Sequence, residues 1–438
     1  MSVRHLVLCS IVLAGAGASA APARAQAVAT AGPAAAAPPA AADTVAPGVV
    51  HEERMLAEGP WRVHVVRVDL RGGRYGLVAV RPGNALRGRE RVSDMARRLE
   101  AAGRDVVAGI NGDFFDMKNG ENENNQVLDG RVLKALPITD SPWDTFRNAH
   151  SQFAVGADGR PYIERFTFAG TVERAGANGR PLVLRLDGVN EVPRQPDALV
   201  LFTAARDSAP RGDTIPGAVE VRLGRAAGAP ARAANGKAAA PANAAASDAL
   251  PLGGAARFTV AGAPAPIGRA PLAPGAATLA AFGAARPRLD SLLTGKGPIT
   301  VHLRLDPDHG PLSLVVGGWP RLLVAGSSVA AGADSLEGTF PRFSGHRYAR
   351  SAVGISRDSA TLLLVTVDGP PEGTTGGSSV GMTLVELADF MRSLGATDAL
   401  AFDGGGSSTL LAGDRVVNVP SDRAGERKVG ISLFVVRR

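Results

Sequence analysis

The stretch "GMTLVELADFMRSLGATDALAFDGGGSSTL", residues 381–410, decides how the chain is read. Thr383 and Glu386 have the spacing of a capping box, in which each side chain satisfies a backbone N–H of the other residue. Leu384, Leu387, Ala388, Met391 and Leu394 then recur at helical period, and Gly395 supplies the stop. "ALAFDGG" reads as a strand, and so does "ATLLLVTVDG" (360–369) upstream. Strand, helix, strand is a βαβ unit with a right-handed crossover if the two strands run parallel. Asp368 ends the first strand and Asp403 the second, so both fall on one sheet edge, where α/β sheets bind ligands. If the strands are neighbours, about 4.8 Å apart, both carboxylates reach one substrate. The competing reading is two ordinary Asp-Gly turns.

Upstream, "WRVHVVRVDL" and "YGLVAV" read as strands. "VSDMARRLEAAG" reads as a helix with Ser93 as N-cap and Val92, Met95, Ala96 and Leu99 as its apolar stripe. "DVVAGINGDFFD" is an apolar strand entering a polar turn. Residues 151–320 carry short strands and turns, interrupted by an Ala/Pro/Gly tract at 224–256 that reads as a flexible surface insertion. The expectation is an α+β fold: mixed β-sheets with flanking helices, a β-rich middle and a C-terminal βαβ unit within one domain, 48–438, whose motifs are densest at 345–438.

The first 25 residues have a basic start (Arg4, His5), an apolar run from Leu6 to Ala18 and small-residue sites ending at Ala20 and Ala25. This is the pattern of a secretory signal peptide and is too short to span a membrane comfortably. Residues 26–47, rich in Ala and Pro, read as a disordered leader. The single cysteine, Cys9, lies in the signal segment, so thiol catalysis and Cys-based metal sites are excluded from the mature chain. A secreted or periplasmic bacterial protein, not inserted in a membrane after cleavage, is expected. The net charge of +7 comes without a basic run interleaved with aromatics, which argues against nucleic acid as a partner.

Gly404, Gly405 and Gly406 leave the backbone uncovered after Asp403, so consecutive amides could turn toward an anion, with Ser407 and Ser408 adding hydroxyls. No Lys follows, so this is not a Walker loop, and G-x-S-x-G is absent. The same run fits a glycine-rich hairpin. "LDPDHG" (305–310) has the oxygen density of a cation loop without the rest of an EF-hand, and seven scattered histidines show no paired metal spacing. His346 lies close before Arg350, but a lone His is more often structural.

"GINGDFFD" (109–116), "GGWPRLLV" (317–324), "RSAVGIS" (350–356), "VTVDG" (365–369), the 381–410 stretch and "VVNVPSDRAGERKVGISLFVV" (416–436) occur in that order. Together they resemble the phosphodiester glycosidase family, which includes many secreted bacterial proteins described as exopolysaccharide-related. The resemblance runs from about Val92 to the C-terminus. It implies hydrolysis of the sugar–phosphate bond of an N-acetylglucosamine 1-phosphodiester or a cell-surface polysaccharide. That bond breaks through an oxocarbenium-like state with a phosphate monoester leaving, so strong general-acid help is less needed. On this reading Asp403 is the carboxylate at the reacting centre, and Asp368 is its partner or a sugar-hydroxyl ligand. Gly404, Gly405, Gly406 and Ser407 hold phosphate or sugar, and Arg350 pairs with phosphate through its planar fork. Asn111 and Asp113 supply substrate hydrogen bonds, and Asp422, Glu426 and Arg427 form a loop closing over the site. No cofactor is required. Two other readings remain open: a phosphodiesterase whose divalent cation is shared by Asp368 and Asp403, and a non-catalytic exopolysaccharide-binding or assembly protein.

Overall fold

The structure is a computed structural model that describes residues 41–139, 141–176, 179–206, 210–226 and 248–438. The signal segment and residues 26–40 of the leader lie outside the described residues, as do residues 227–247 of the insertion. The described residues build two eight-stranded sheets, a six-stranded sheet, a five-stranded sheet and a two-stranded ribbon. This is the β-rich α+β fold expected.

Two of the sheets position the site. The first runs, in spatial order, Ala41–Ala46, Val49–Leu56, Trp61–Asp69, Thr361–Val367, Arg350–Ile355, Asp398–Phe402, Arg321–Val324, Ser327–Ser328. The second runs Arg415–Val416, Leu410–Ala412, Val106–Asn111, Ser432–Arg437, Tyr75–Val80. Alternate residues of each strand point to opposite faces. Val66, Val353, Leu364 and Phe402 of the first sheet thus share one core with Ala108, Ile110, Leu410 and Leu433 of the second. The outer face of the first sheet packs Val365, Ala352 and Ala401 against Leu384, Leu387 and Met391 of the helix Leu384–Ser393. The outer face of the second packs Phe434 and Leu411 against Val92, Met95 and Leu99 of the helix Val92–Ala101. The order of layers is helix, sheet, sheet, helix.

The βαβ unit is present with one change. Thr361–Val367 and Asp398–Phe402 are parallel, but Arg350–Ile355 lies between them, antiparallel to both. A short turn from Ser356 to Ala360 makes the 350–355/361–367 hairpin the cheaper closure, so the crossover skips one position. Asp368 and Asp403 do share an edge, but they are two strand spacings apart, roughly 10 Å rather than one.

The chain enters the fold earlier than composition suggests. Ala41–Ala46 pairs with Val49–Leu56, which pairs over eight residues with Trp61–Asp69. The leader reading therefore fails for 41–47: cross-strand pairing, with Val49 and His51 facing the core, supplies what the segment's own side chains do not. The insertion is also shorter than expected. Val219–Arg225 extends into its start, and Leu250–Pro251 and Ala255–Pro266 occupy its end.

Helix signals divide. At Leu384–Ser393 the capping box is complete, with both reciprocal bonds between Thr383 and Glu386 made, and Gly395 follows at φ 92°. At Val92–Ala101 the N-cap is Arg91, not Ser93. The Ser93 N–H and hydroxyl instead donate to the two oxygens of Glu426, at 2.9 and 2.6 Å, so a remote carboxylate serves that helix start. Thr383→Ala is expected to cost about 1 kcal/mol of unfolding free energy, measured by urea denaturation.

Candidate active site

Asp403 follows the strand Asp398–Phe402 and is fixed from both sheets. Its N–H donates to the Gly112 carbonyl at 2.9 Å, and its carbonyl accepts the Asn111 side-chain amide at 2.7 Å. The Asn111 oxygen accepts from the Ser351 hydroxyl at 2.7 Å and the Thr409 N–H at 3.1 Å. Asn111 is fully buried. Expected as a substrate ligand, it is instead the joint that holds Asp403, because a buried amide commits its groups to protein partners.

The Asp403 carboxyl, half-buried, is pushed up from 3.8 to about 7, chiefly by burial. The nearby Ser407 hydroxyl and the Arg427 cation offset part of the rise, while Glu123 and Asp113 add to it. Asp113 is raised to about 6, again by burial, against hydrogen bonds from Asn124. Those bonds, from the Asn124 amide side chain at 2.7 Å and backbone N–H at 3.0 Å, occupy both Asp113 oxygens. Buried and bound, Asp113 acts on Asp403 through its charge; the substrate contact expected of it is not built. Glu123 is also raised by burial, partly offset by Ser141 and His150. His150 is held at 2.9 Å from Asp144 and stacks on Trp319. Trp319 in turn stacks on the half-buried Phe343, and Phe114 meets both edge-on. Sequence reasoning missed Glu123: "ENENN" (121–125) has no periodicity, and its partner lies 280 positions away.

The glycine run turns one amide, not a row of them, toward an anion. The Gly405 N–H donates to the Ala349 carbonyl at 2.8 Å, and the Ser407 and Ser408 N–H groups to Gly404 and Gly405 carbonyls. The Gly406 N–H alone meets an anion, the Glu372 carboxylate, at 3.1 Å. No row of amides is therefore presented. Gly405 is needed for its φ of 57°. A Cβ at Gly406 would push the Arg427 guanidinium and the Glu372 carboxylate aside.

Arg427 pairs with Asp422 at 2.8 Å and with the other oxygen of Glu372. Burial disfavours its charge, but these carboxylates raise its pKa on balance. The 420–428 loop is thus pinned at Glu426 to the helix Val92–Ala101 and places Arg427 and Asp422 beside the glycine run. Glu372, unforeseen, accepts from both the Gly406 N–H and Arg427.

Arg350 and Asp368 do not join this group. Arg350 is buried; it donates through Nε to the Met382 carbonyl at 2.9 Å and through Nη2 to the Phe343 and His346 carbonyls at 2.7 and 3.0 Å. Its guanidinium lies over the rings of Phe343 and Tyr348, and burial lowers its pKa to about 10. Nε and Nη2, one edge of its fork, are taken by carbonyls. Asp368 is only 3% exposed. One oxygen accepts the Val419 N–H at 3.0 Å, and the other faces His64 at 3.6 Å. It anchors the start of the 419–427 segment. The Arg350–Ile355 strand stands between it and Asp403. His346 contributes its carbonyl and stacks on Tyr348, and "LDPDHG" is an exposed turn in which His309 packs on Tyr162.

Comparison with known proteins follows the same residues. Residues 283–436 match the phosphodiester glycosidase family. The matched segment holds Asp403, Glu372, Asp422 and Arg427 and leaves out Asn111, Asp113 and Glu123. The chain is 35% identical over 85 residues, 19% of its length, to N-acetylglucosamine-1-phosphodiester alpha-N-acetylglucosaminidase of Mus musculus, and 36% identical over 85 residues to that of Bos taurus. It spans about 15% of the length of these relatives. A solved structure of a candidate exported protein from Burkholderia pseudomallei K96243 superposes with a TM-score of 0.56 at 26% identity, covering 86% of this chain and 74% of that one. A hypothetical protein from Synechocystis shares the fold at a TM-score of 0.65 and 18% identity, over 92% of this chain and 64% of that one. Among the described residues no helix is long and apolar enough to cross a membrane.

Two measurements test this geometry. Asn111→Ala leaves a hydroxyl, a backbone N–H and the Asp403 carbonyl without partners, and should lower unfolding free energy by on the order of 2–4 kcal/mol. Because Asp403 is raised, its stabilising share is complete below its ordinary value of 3.8 and is lost as pH rises through about 7. Asp403→Asn should therefore raise Tm relative to the native chain at pH about 8 and make little difference below pH about 4, as read by calorimetry across that range.

Proposed function

We propose that the chain is an exported hydrolase that cleaves the sugar–phosphate bond of a glycosyl 1-phosphodiester, with Asp403 as its proton-transferring carboxylate. The observation that carries this reading is the Asp403 carboxyl, held near 7 by burial and by Asp113 and Glu123, beside an anion seat made by the Gly406 N–H and Arg427. A general base works best when its pKa lies near the working pH. Water attacks the anomeric carbon and gives its proton to Asp403, while the carbon–oxygen bond breaks and the phosphate monoester leaves with the bonding electrons. Charge on that leaving group grows at Arg427 and the Gly406 N–H, which stabilise it in place. In the free protein Glu372 takes the phosphate's position. The family match and the N-acetylglucosamine 1-phosphodiester named in the curated relatives support the substrate class.

Hydrolysis of a sugar 1-phosphodiester in oxygen-18 water should place the label in the sugar; label in phosphate would overturn the bond assignment. The Asp403→Asn variant should lose roughly 10²–10⁴-fold in kcat. In the native enzyme kcat/KM should rise with pH through about 7 as Asp403 ionises. Glu372→Gln should lower KM for the phosphodiester several-fold, since a neutral amide competes less well for Arg427. A raised KM with no change in kcat would make Glu372 a clamp for Arg427 rather than a stand-in for phosphate.

A further inference from the structure

A cavity of about 680 Å³ opens next to the acidic cluster. Its walls come from the turn after Val106–Asn111, the loop after the Arg131–Lys134 strand, and the loops 187–198 and 210–215 of the β-rich middle. Glu123 and Ser141 belong to both: they line this cavity, and Glu123 also acts on the Asp403 carboxyl. The volume is within the ~300–1,000 Å³ usual for ligand pockets.

The lining specifies the ligand's chemistry. Five basic and six acidic side chains contribute, so the wall has almost no net charge and does not favour a polyanion. The charges at its floor are already matched. Burial alone would raise Glu121, but Lys134, Arg206 and Arg87 bring it down to about 2. Arg206 and Arg87 lie 3.1 and 3.0 Å from it, and Lys134 pairs with Glu191 at 2.6 Å. Between these fixed pairs stand neutral donors and acceptors: Asn119, Asn122, Thr139, Ser141 and Thr214. Leu136, Pro137, Ile138, Val192 and Ile215 give the wall an apolar side. Matched charges, neutral hydrogen-bonding groups and an apolar face together suit a ligand with many hydroxyls and an aliphatic ring face.

We propose that this cavity is a subsite for neutral sugar units of the substrate, reached from the Asp403 site past Glu123. Only its placement beside the cleaved bond rests on the hydrolase reading; the binding itself does not.

The test uses the full chain and titrates it calorimetrically with neutral tetrasaccharides of N-acetylglucosamine, glucose and mannose. At least one should bind the native chain. Ile138→Trp and Thr214→Trp, which fill the cavity from exposed rim positions, should each weaken it by about tenfold or more at unchanged Tm. Two variants are used so that one misfolded protein does not decide the outcome. Binding by none of the three sugars, or undiminished binding in the correctly folded variants, overturns the proposal. Kinetics then separate the two readings. Phosphodiesters with and without the added sugar units should differ in kcat/KM by about tenfold in the native chain, and that preference should collapse in the rim variants. Sugar binding lost in the rim variants with no phosphodiester hydrolysed by any protein would sustain the subsite and overturn the hydrolase.

Discussion

A single buried amide joins the two sheets at the point where Asp403 leaves its strand. Asn111 ends a strand of the second sheet, yet its side chain binds Ser351 and the Asp403 carbonyl, both contributed by the first. Its oxygen takes in addition the Thr409 N–H, just after the glycine run. One side chain thus sets the distance between sheets, the exit direction of the Asp398–Phe402 strand and the start of Leu410–Ala412. The cost of leaving any of these groups unpaired in a dry interior is what makes the arrangement unique. Asp403 inherits its position from this joint, with the Gly112 carbonyl as the second fixed point.

Given that position, the charge state of Asp403 follows from competition among its neighbours. Burial raises its pKa, and a free arginine within reach would reverse that effect. Neither nearby arginine does so. Arg350 is turned into a nest of three carbonyls and two rings, and Arg427 is shared between Asp422 and Glu372. Asp113 and Glu123 then add like charge. Asp403 stays raised because its neighbouring cations are engaged elsewhere, and Glu372 is the exposed partner in that engagement.

Legibility in the sequence followed the range of the interactions. The helix Leu384–Ser393 was readable in full, since its capping box, its stripe and Gly395 all act within a few residues. So was the shared edge of Asp368 and Asp403, which needs only a strand, a helix and a strand. The intervening strand was not readable, because "RSAVGIS" says nothing of which neighbours it takes. Arg350 looked like an anion ligand because an arginine at a strand start has the same letter whether it meets phosphate or carbonyls. Ser93 looked like a cap, and only Glu426, more than three hundred positions away, decides that it is not. The Gly404–Gly406 run was correctly singled out, but the sequence could not tell amides offered to a ligand from glycines required by a φ of 57° and a guanidinium overhead.

The same distinction explains what the β-rich middle adds. The family match covers residues 283–436, which contain Asp403 and its arginine but not the acids that tune it. Asp113 and Glu123 come from the turn after Val106–Asn111, and the turn's far side is a wall of the cavity closed by the loops 187–198 and 210–215. The segment that raises the Asp403 carboxyl is therefore also a wall of that cavity. A ligand filling the cavity would press on Glu123, exclude water from it and so change the field at Asp403 without touching that residue. On the proposed reading, reactivity and recognition would be coupled through one glutamate, because the same turn lines the cavity and faces Asp403.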